Sequence, residues 1–190
     1  MKQFQDILTD LQNKLNPHRF WHTVGVAETV RLLAQVHGTD EEQALLAGIL
    51  HDCARYMPNE QFPEECEKRS IPVSDLERAA PILLHAPLGA AIAQEVYGVT
   101  DPAILEAIRV HTTGAPAMDL LAKLLYIADY IEPGRDMVSN LNDIRRAAFR
   151  DPDEALVMIL RGTLGYLQKK GGPIHPATLE TYQYYAKEDY

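Results

Sequence analysis

The sequence predicts an all-α fold, because apolar residues recur with helical spacing almost everywhere and no stretch alternates cleanly enough for a strand. Proline and glycine fall between the apolar rows, where helices begin and end. The first apolar row marks one face of a helix near the start of the chain: Phe4, Ile7, Leu8, Leu11 and Leu15. No repeat, low-complexity tract or long linker divides the 190 residues, so we expect a single domain over 1–190.

The remaining helices follow from the same spacing and from signals at their ends. Asn16-Pro17 should stop the first helix, and Gly38 should cap the end of the second, at about 19–36. Thr39 or Asp40 caps a third helix, which ends near His51-Asp52. A proline-punctuated stretch, 57–72, holds one short helix. The later helices should span about 82–96, 102–112, 117–131, 140–149, 152–169 and 177–187, with Asp101-Pro102 and Asp151-Pro152 as two of their starts.

Composition and charge exclude several classes of protein. A net charge of −9 and a pI near 5.2 argue against a general binder of nucleic acid or of anionic membranes, although a few local cations could still hold a phosphorylated ligand. Two cysteines without a CxxC pair exclude a cysteine zinc ribbon and disfavour a disulfide framework. The first residues lack an apolar signal core, and no run approaches the ~20 apolar residues of a membrane span, so we expect a cytoplasmic protein.

Six polar side chains lie on or at the end of apolar helical rows, where a core residue is expected: His22, His51, Asp52, His85, His111 and Asp129. His22, for example, shares a face with Val26, Val30 and Leu33. A single histidine there is commonly a hydrogen-bonded core residue, but a buried unpaired carboxylate costs several kcal/mol. A bound metal is the common cause that would account for all six, because its charge offsets the buried carboxylates.

The types of candidate ligand narrow the chemistry. Histidine and aspartate without thiolate suit Fe, Mn or Zn in an open catalytic site better than a closed structural zinc. Six candidates exceed what one catalytic metal normally takes from protein, which favours two metals with room for water. Such a pair can hold a hydroxide nucleophile and clamp phosphoryl oxygens. The residues therefore favour a dinuclear phosphohydrolase site.

The order His22, His51-Asp52, Asp129 on a helical chain resembles the HD-domain metal-dependent phosphohydrolases. The extra histidines His85 and His111 resemble the subset that binds two metals. Five longer stretches resemble the YqeK-type HD hydrolases, the bacterial symmetrical bis(5'-nucleosyl)-tetraphosphatases: "RFWHTVGVAETVRLLA", "AGILHDCAR", "HAPLGAAIA", "HTTG" and "LLYIADYIEPGR". The similarity covers about 10–184.

The resemblance implies a single HD-domain helical bundle with a defined reaction. By analogy, one iron-type ion would be held by His22, His51, Asp52 and Asp129. His85 and His111 would hold a second ion, with Asp52 bridging the two, and Mn, Mg and Zn are the alternatives to iron. A metal-bound water would then cleave diadenosine tetraphosphate symmetrically into two ADP.

Candidate catalytic and substrate-binding residues surround these ligands. Asp52 and Arg55 are the catalytic candidates, and Arg55 either contacts phosphate or makes a surface ion pair. The candidates for substrate contact are Arg19, Arg55, Thr112, Thr113 and Arg135. Arg19 could equally be exposed, and the two threonines could form a turn before Gly114. Tyr126 and Tyr130 either stack on a base or pack in the core.

Other functions stay open from sequence alone. An HD-type nucleotide or deoxynucleotide 5'-phosphohydrolase would use the same site and release nucleoside and phosphate. A regulatory module that binds a nucleotide without turnover is a second alternative, and a helical oligomerisation scaffold a weaker one. A homodimer is possible. His18 and His175 could support a ligand or be structural.

Overall fold

The computed structural model describes residues 2–136 and 138–187, and these residues form eleven α-helices, two short 3-10 helices and no strand. The all-α prediction is confirmed. The α-helices are α1 (Phe4–Lys14), α2 (Pro17–His37), α3 (Glu41–Leu50), α4 (Phe62–Lys68), α5 (Asp75–Ala79), α6 (His85–Glu95), α7 (Pro102–Val110), α8 (Leu120–Ile131), α9 (Leu141–Ala148), α10 (Pro152–Lys170) and α11 (Pro176–Ala186). The 3-10 helices are Asn59–Gln61 and Pro81–Leu84. Within this described part of the chain, no helix is both long enough and apolar enough to cross a membrane.

The predicted helix ends rest on local hydrogen bonds. Gly38 follows α2 in the left-handed conformation, with φ of 70°, as the capping prediction requires. Asp40 caps α3 by accepting hydrogen bonds from two backbone N–H groups. Asp101 and Asp151 cap α7 and α10 in the same way, each before a proline in the first turn.

Three differences from the predicted elements have local causes. The helix predicted over 117–131 begins only at Leu120, because Ala117 has a positive φ of 52° that cannot continue a right-handed helix. The segment from Pro81 forms a 3-10 turn before α6 begins. Helix α5 was not predicted, although Ser74 and Glu77 form a complete capping box at its start.

The helices pack around one apolar core that holds the ends of several helices close together. Helix α2 packs on α3 and α8, and α7 contacts α3, α6 and α8. Gly48 allows α3 to approach α2, because a Cβ atom there would lie only 2.5 Å from the Ala27 Cα atom. This close crossing brings the end of α3 next to the first half of α2.

Candidate metal centre

The structure brings all six predicted ligand residues together at one place in the bundle. His51 and Asp52 directly follow α3, and His111 directly follows α7. His85 is the first residue of α6, while Asp129 lies in the last turn of α8. His22, the sixth residue, lies in the first half of α2. The site is therefore built where helix ends converge on the side of one long helix.

Asp52 lies at the centre of the cluster and is almost completely buried, with 1% of its surface exposed. Its Oδ2 atom is 3.5 Å from the His51 Nε2 atom and 3.9 Å from the His22 Nε2 atom. Its Oδ1 atom faces the other way, 3.4 Å from the His85 Nε2 atom. The two oxygens of one carboxylate thus address two different groups of histidines.

Three of the imidazoles are oriented by the protein backbone. Each directs Nδ1 at the carbonyl oxygen of the residue three positions earlier, in the pairs His51–Gly48, His85–Ile82 and His111–Ile108. A carbonyl oxygen only accepts hydrogen bonds, so Nδ1 must carry the proton in each ring. In the neutral form of each ring, Nε2 is then the unprotonated nitrogen, and it points into the cluster, as in histidines that bind metals.

His22 is oriented instead by the side chain of Glu132, a residue that the sequence pattern did not single out. Nδ1 of His22 donates to Oε1 of Glu132 at 3.1 Å, and Glu132 is only 4% exposed. The backbone N–H of Gly134 donates to the other carboxylate oxygen. Gly25 leaves room for this carboxylate, because a Cβ atom there would lie 2.7 Å from Glu132 Oε2. The available signal was the position of Glu132 three residues after Asp129, on the same helical face.

The unpaired atoms of the cluster fit a divalent cation. Among the residues that the structure describes, the buried Nε2 atoms of His22 and His51 have no hydrogen-bond partner, although His22 Nε2 lies 3.0 Å from Asp129 Oδ1. The Nε2 atoms of His85 and His111 face each other at 3.1 Å, and both are acceptors when Nδ1 carries the proton. A cation supplies what several acceptors without a donor lack.

Two sets of side chains are close enough to act as ligands together. They are His22, His51 and Asp129, and His51, Asp52 and His111, with the candidate ligand atoms of each set within 4.8 Å of one another. His51 belongs to both sets, so the two groups adjoin. The donor set, neutral nitrogen and carboxylate oxygen, is suited to divalent metals.

The electrostatics favour the ligating forms of the two aspartates and of His111. Burial alone would raise the pKa of Asp52, but His51, His85 and Arg19 hold it well below its usual range. Burial would also raise the pKa of Asp129, and the contact with His22 together with the neighbouring histidines lowers it. Burial, reinforced by nearby imidazoles, lowers the pKa of His111 to about 3. Ionised carboxylates and this neutral imidazole are the forms that bind metal.

The cluster opens into a cavity of about 290 Å³. Three arginines that were predicted to contact substrate line this cavity. Arg19 donates to Asp52 at 2.7 Å, and Arg135 donates to Asp129 at 2.7 Å. Arg55 lines the same cavity and donates to Asn59 at 3.1 Å. Arg19 is therefore directed at the site. Arg55 pairs with an amide oxygen and makes no ion pair with any residue that the structure describes.

Neutral groups complete the lining of this cavity. Thr112, Tyr126 and Tyr130 all contribute to it, together with Ile82 and Thr163. Thr112 Oγ1 lies 3.2 Å from the His85 Nε2 atom. Hydroxyl and aromatic groups therefore face the same space as the candidate ligands.

Thr113, predicted to contact substrate, is not brought into this cavity. Its hydroxyl donates to the Gly114 carbonyl oxygen, and its side chain lines a separate cavity that also includes His175. Neighbouring residues in a turn point in different directions, which explains why only Thr112 of the pair reaches the site. His175 accepts from the Ala177 N–H as the cap of α11, so the structure gives it a local role.

A helical bundle that gathers four histidines and two aspartates beside a cavity with three arginines defines a class of α-helical proteins with a divalent-metal centre. The comparison of sequences gives the family within that class. The chain belongs to the HD domain family, which matches residues 19–134.

Relatives and a solved structure cover nearly the whole chain. A symmetrical bis(5'-nucleosyl)-tetraphosphatase of Bacillus subtilis is 39% identical, across 95% of this chain and 96% of the relative. One of the same name from Halalkalibacterium halodurans is 40% identical, across 88% and 89%. A crystal structure of a predicted HD superfamily hydrolase involved in NAD metabolism from Clostridium acetobutylicum aligns with a TM-score of 0.95, at 38% identity and 98% coverage of both chains. The predicted HD-domain helical bundle is confirmed.

Proposed function

We propose that this protein is a metal-dependent hydrolase that cleaves diadenosine tetraphosphate symmetrically into two ADP. The names of the relatives from Bacillus subtilis and Halalkalibacterium halodurans support this reaction. The observation that carries the proposal is the cavity, in which three arginines surround a cluster of inward-facing histidine nitrogens and carboxylates. Such a cavity suits a substrate whose reacting centre is a chain of phosphates.

The proposed ligands divide between two ions that share Asp52. We assign His22, His51, Asp52 and Asp129 to one ion, and His85 and His111 with Asp52 to the other. The opposite directions of the two Asp52 oxygens support this bridging role. Divalent ions bound there would supply Lewis acidity to phosphoryl oxygens and lower the pKa of a water molecule.

The arginines would bind the phosphate chain. In the structure, Arg19 and Arg135 are paired with Asp52 and Asp129. Cations bound at the cluster would neutralise those carboxylates and release the guanidinium groups for phosphate oxygens, which match their planar geometry. Arg55, half-buried beside them, is a third donor to the same cavity.

The reaction needs water at one of the two central phosphorus atoms. The water oxygen forms a bond to that phosphorus, and the bond between the same phosphorus and the central bridging oxygen breaks. The bridging oxygen leaves with the second ADP, and the proton that the water loses passes to solvent. Arg19 and Arg135 lie on the cavity wall, where they can stabilise charge that develops on the phosphoryl oxygens. Holding the centre of the chain at the cluster is what makes the two products identical.

Product analysis by chromatography tests this proposal. Purified protein is loaded with Fe under reducing conditions, and separately with Mn, Mg or Zn, and incubated with diadenosine tetraphosphate. We expect ADP as the product that accounts for all the substrate consumed. An Asp52→Ala protein, purified in parallel, reports any contaminating phosphatase.

The other outcomes separate the alternatives. AMP with ATP would show a hydrolase that cuts off-centre and would overturn the symmetry. Nucleoside and phosphate released from mononucleotides, without cleavage of the dinucleotide, would indicate a 5'-phosphohydrolase. Binding without turnover by fully loaded protein would indicate a regulatory module. NAD, which the description of the Clostridium acetobutylicum protein suggests, serves as a further substrate in the same assay.

A further inference from the structure

Trp21 is a large aromatic side chain left in solvent beside the centre. It is the only tryptophan of the chain, it directly precedes His22, and 67% of its surface is exposed. Its indole ring packs edge-to-face on Phe20, with ring centroids 5.5 Å apart, which leaves its other surfaces uncovered. Trp21 therefore offers an uncovered aromatic surface beside the candidate ligands.

A second cavity, of about 760 Å³, runs along this tryptophan. Trp21, Val24 and Pro133 give it apolar surface, and the glycines at 25 and 134 widen it. Arg19 and Arg135 line this cavity and the smaller one at the cluster, so the two cavities meet at a pair of cationic side chains.

The volumes of the two cavities and the arginine pair that they share fit a dinucleotide that extends through both. The cavity at the cluster, about 290 Å³, lies at the lower end of the ~300–1,000 Å³ typical of ligand sites, which is small for two nucleosides and four phosphates. Symmetrical cleavage requires the central phosphates at the cluster, so the two nucleosides must leave it in two directions. The arginine pair lies where one direction passes into the larger cavity.

We propose that the cavity beside Trp21 binds one nucleoside of a dinucleoside polyphosphate, with the indole stacked on the base. Arg19 and Arg135 hold the phosphates that lead into it, and the second nucleoside lies near Tyr126 and Tyr130 in the smaller cavity. This assignment rests on the proposed function for the identity of the substrate. Stacking accepts any base, so the subsite should favour dinucleotides over mononucleotides and discriminate little between adenine and guanine.

Tryptophan fluorescence tests the subsite directly, because Trp21 is the only tryptophan that reports. Metal-loaded protein is titrated with a methylene-bridged, non-hydrolysable analogue of diadenosine tetraphosphate, and separately with inorganic tripolyphosphate. We expect saturable quenching by the dinucleotide analogue. Tripolyphosphate should compete with the analogue but leave the emission unchanged, because it has no base.

Steady-state kinetics provide the second measurement. Trp21→Ala should raise the KM for diadenosine tetraphosphate by about ten-fold or more and leave kcat nearly unchanged, whereas Trp21→Phe should retain most of the affinity. Leu32→Ala, which removes another exposed apolar side chain of α2 outside both cavities, is the matched control and should leave KM unchanged.

The outcomes distinguish the subsite from the proposed function. Analogue binding detected by calorimetry, with unchanged emission and an unchanged KM in Trp21→Ala, would overturn the subsite while ADP as the product still upheld the hydrolase. Quenching by the analogue with no cleavage of the natural dinucleotide would uphold the subsite and overturn the hydrolase. Equal quenching by tripolyphosphate would also reject stacking, because it would show a response to phosphate alone.

Discussion

The histidines of the centre are supported in two different ways. His51, His85 and His111 each donate to a backbone carbonyl beside a helix end, whereas His22 lies inside a helix and donates to the Glu132 side chain. Within a helix the carbonyls are already used by the helix itself, so a ligand there needs a partner from another segment. Three ligands are therefore oriented by the backbone of their own segment, while the fourth depends on the side chain of one distant residue.

Removing Asp52 should have the largest effect, because its two oxygens face both groups of histidines. We expect Asp52→Ala to lose both metals and to reduce hydrolysis to background, with the helical fold retained. Metal analysis of purified protein and circular dichroism measure these results. Asp143→Ala, at an exposed carboxylate of α9, is the control and should keep both metals. Full activity in Asp52→Ala would reject the dinuclear proposal.

Replacing Glu132 should weaken only the His22 half of the centre. Glu132→Gln removes the charge that fixes His22 Nδ1 as a donor, so one of the two metals should bind about 10- to 100-fold more weakly. Metal titration by calorimetry resolves the two sites. Glu28→Gln, an exposed carboxylate on α2 paired with Arg31, is the matched control.

The comparison would break down if Glu132→Gln weakened both metals equally. Such a result would mean that Glu132 supports the fold and not one ligand. Gly25→Ala gives an independent check, because its Cβ atom would contact the same carboxylate at 2.7 Å without changing any charge. It should weaken the same metal as Glu132→Gln does.

The three histidines that donate to backbone carbonyls have no supporting side chain to replace, so their geometry can be changed only through the packing of the helices. Gly48→Ala would place a Cβ atom 2.5 Å from the Ala27 Cα atom, so α2 and α3 must move apart. Overpacking of this kind lowers the free energy of unfolding by about 1–3 kcal/mol. Chemical denaturation measures it, with Gly165→Ala on α10 as the control.

The control should change stability in the opposite direction. No atom of a described residue lies within 4 Å of the Cβ position at Gly165, so alanine there should stabilise α10 by up to about 1 kcal/mol through helix propensity. If Gly48→Ala were equally stabilising, the close crossing of α2 and α3 would not determine the geometry of the centre.

The smallest expected effect is on stability, from replacing Asp10, a carboxylate remote from the metal centre. Burial alone would raise the pKa of Asp10, but hydrogen bonds from Lys14 and Tyr97 lower it below the ordinary value of 3.8. Its stabilising contribution is therefore present above about pH 4 and is lost as the pH falls through the lowered pKa. Asp10→Asn should remove less than about 1 kcal/mol at neutral pH and slightly flatten the acid side of the stability curve. Denaturation at several pH values measures this, and a steeper acid loss in the variant would contradict it.

Sequence reasoning located the six clustered residues because each interrupts an apolar row that the core requires. It also found most helix starts, since caps such as Asp101 and Asp151 act through hydrogen bonds within a few residues of themselves. Apolar rows and helix caps depend on residues close together in the chain, so they can be predicted from the sequence. The ligand roles of the six residues stay predictions until metal is measured.

The features that sequence reasoning missed depend on tertiary geometry or on turns. The contact between Glu132 and His22 joins residues 110 positions apart, so the position of Glu132 after Asp129 cannot show which histidine it supports. The divergence of Thr112 and Thr113 into two cavities depends on how the chain turns after α7. Helix α5 is too short for apolar periodicity to reveal, although its capping box was present in the sequence.

The Nε2 atoms of His85 and His111 face each other at 3.1 Å, and this contact also affects the stability of the folded protein. Two lone pairs in contact repel each other, so a cation bound between these groups would remove that repulsion. A ligand that binds only the folded chain raises the free energy of unfolding, by about 2.7 kcal/mol when it is present at 100 times its Kd. The lifetime of this protein against heat and proteases should therefore follow the metal supply of the cell, and a chelator should shorten it.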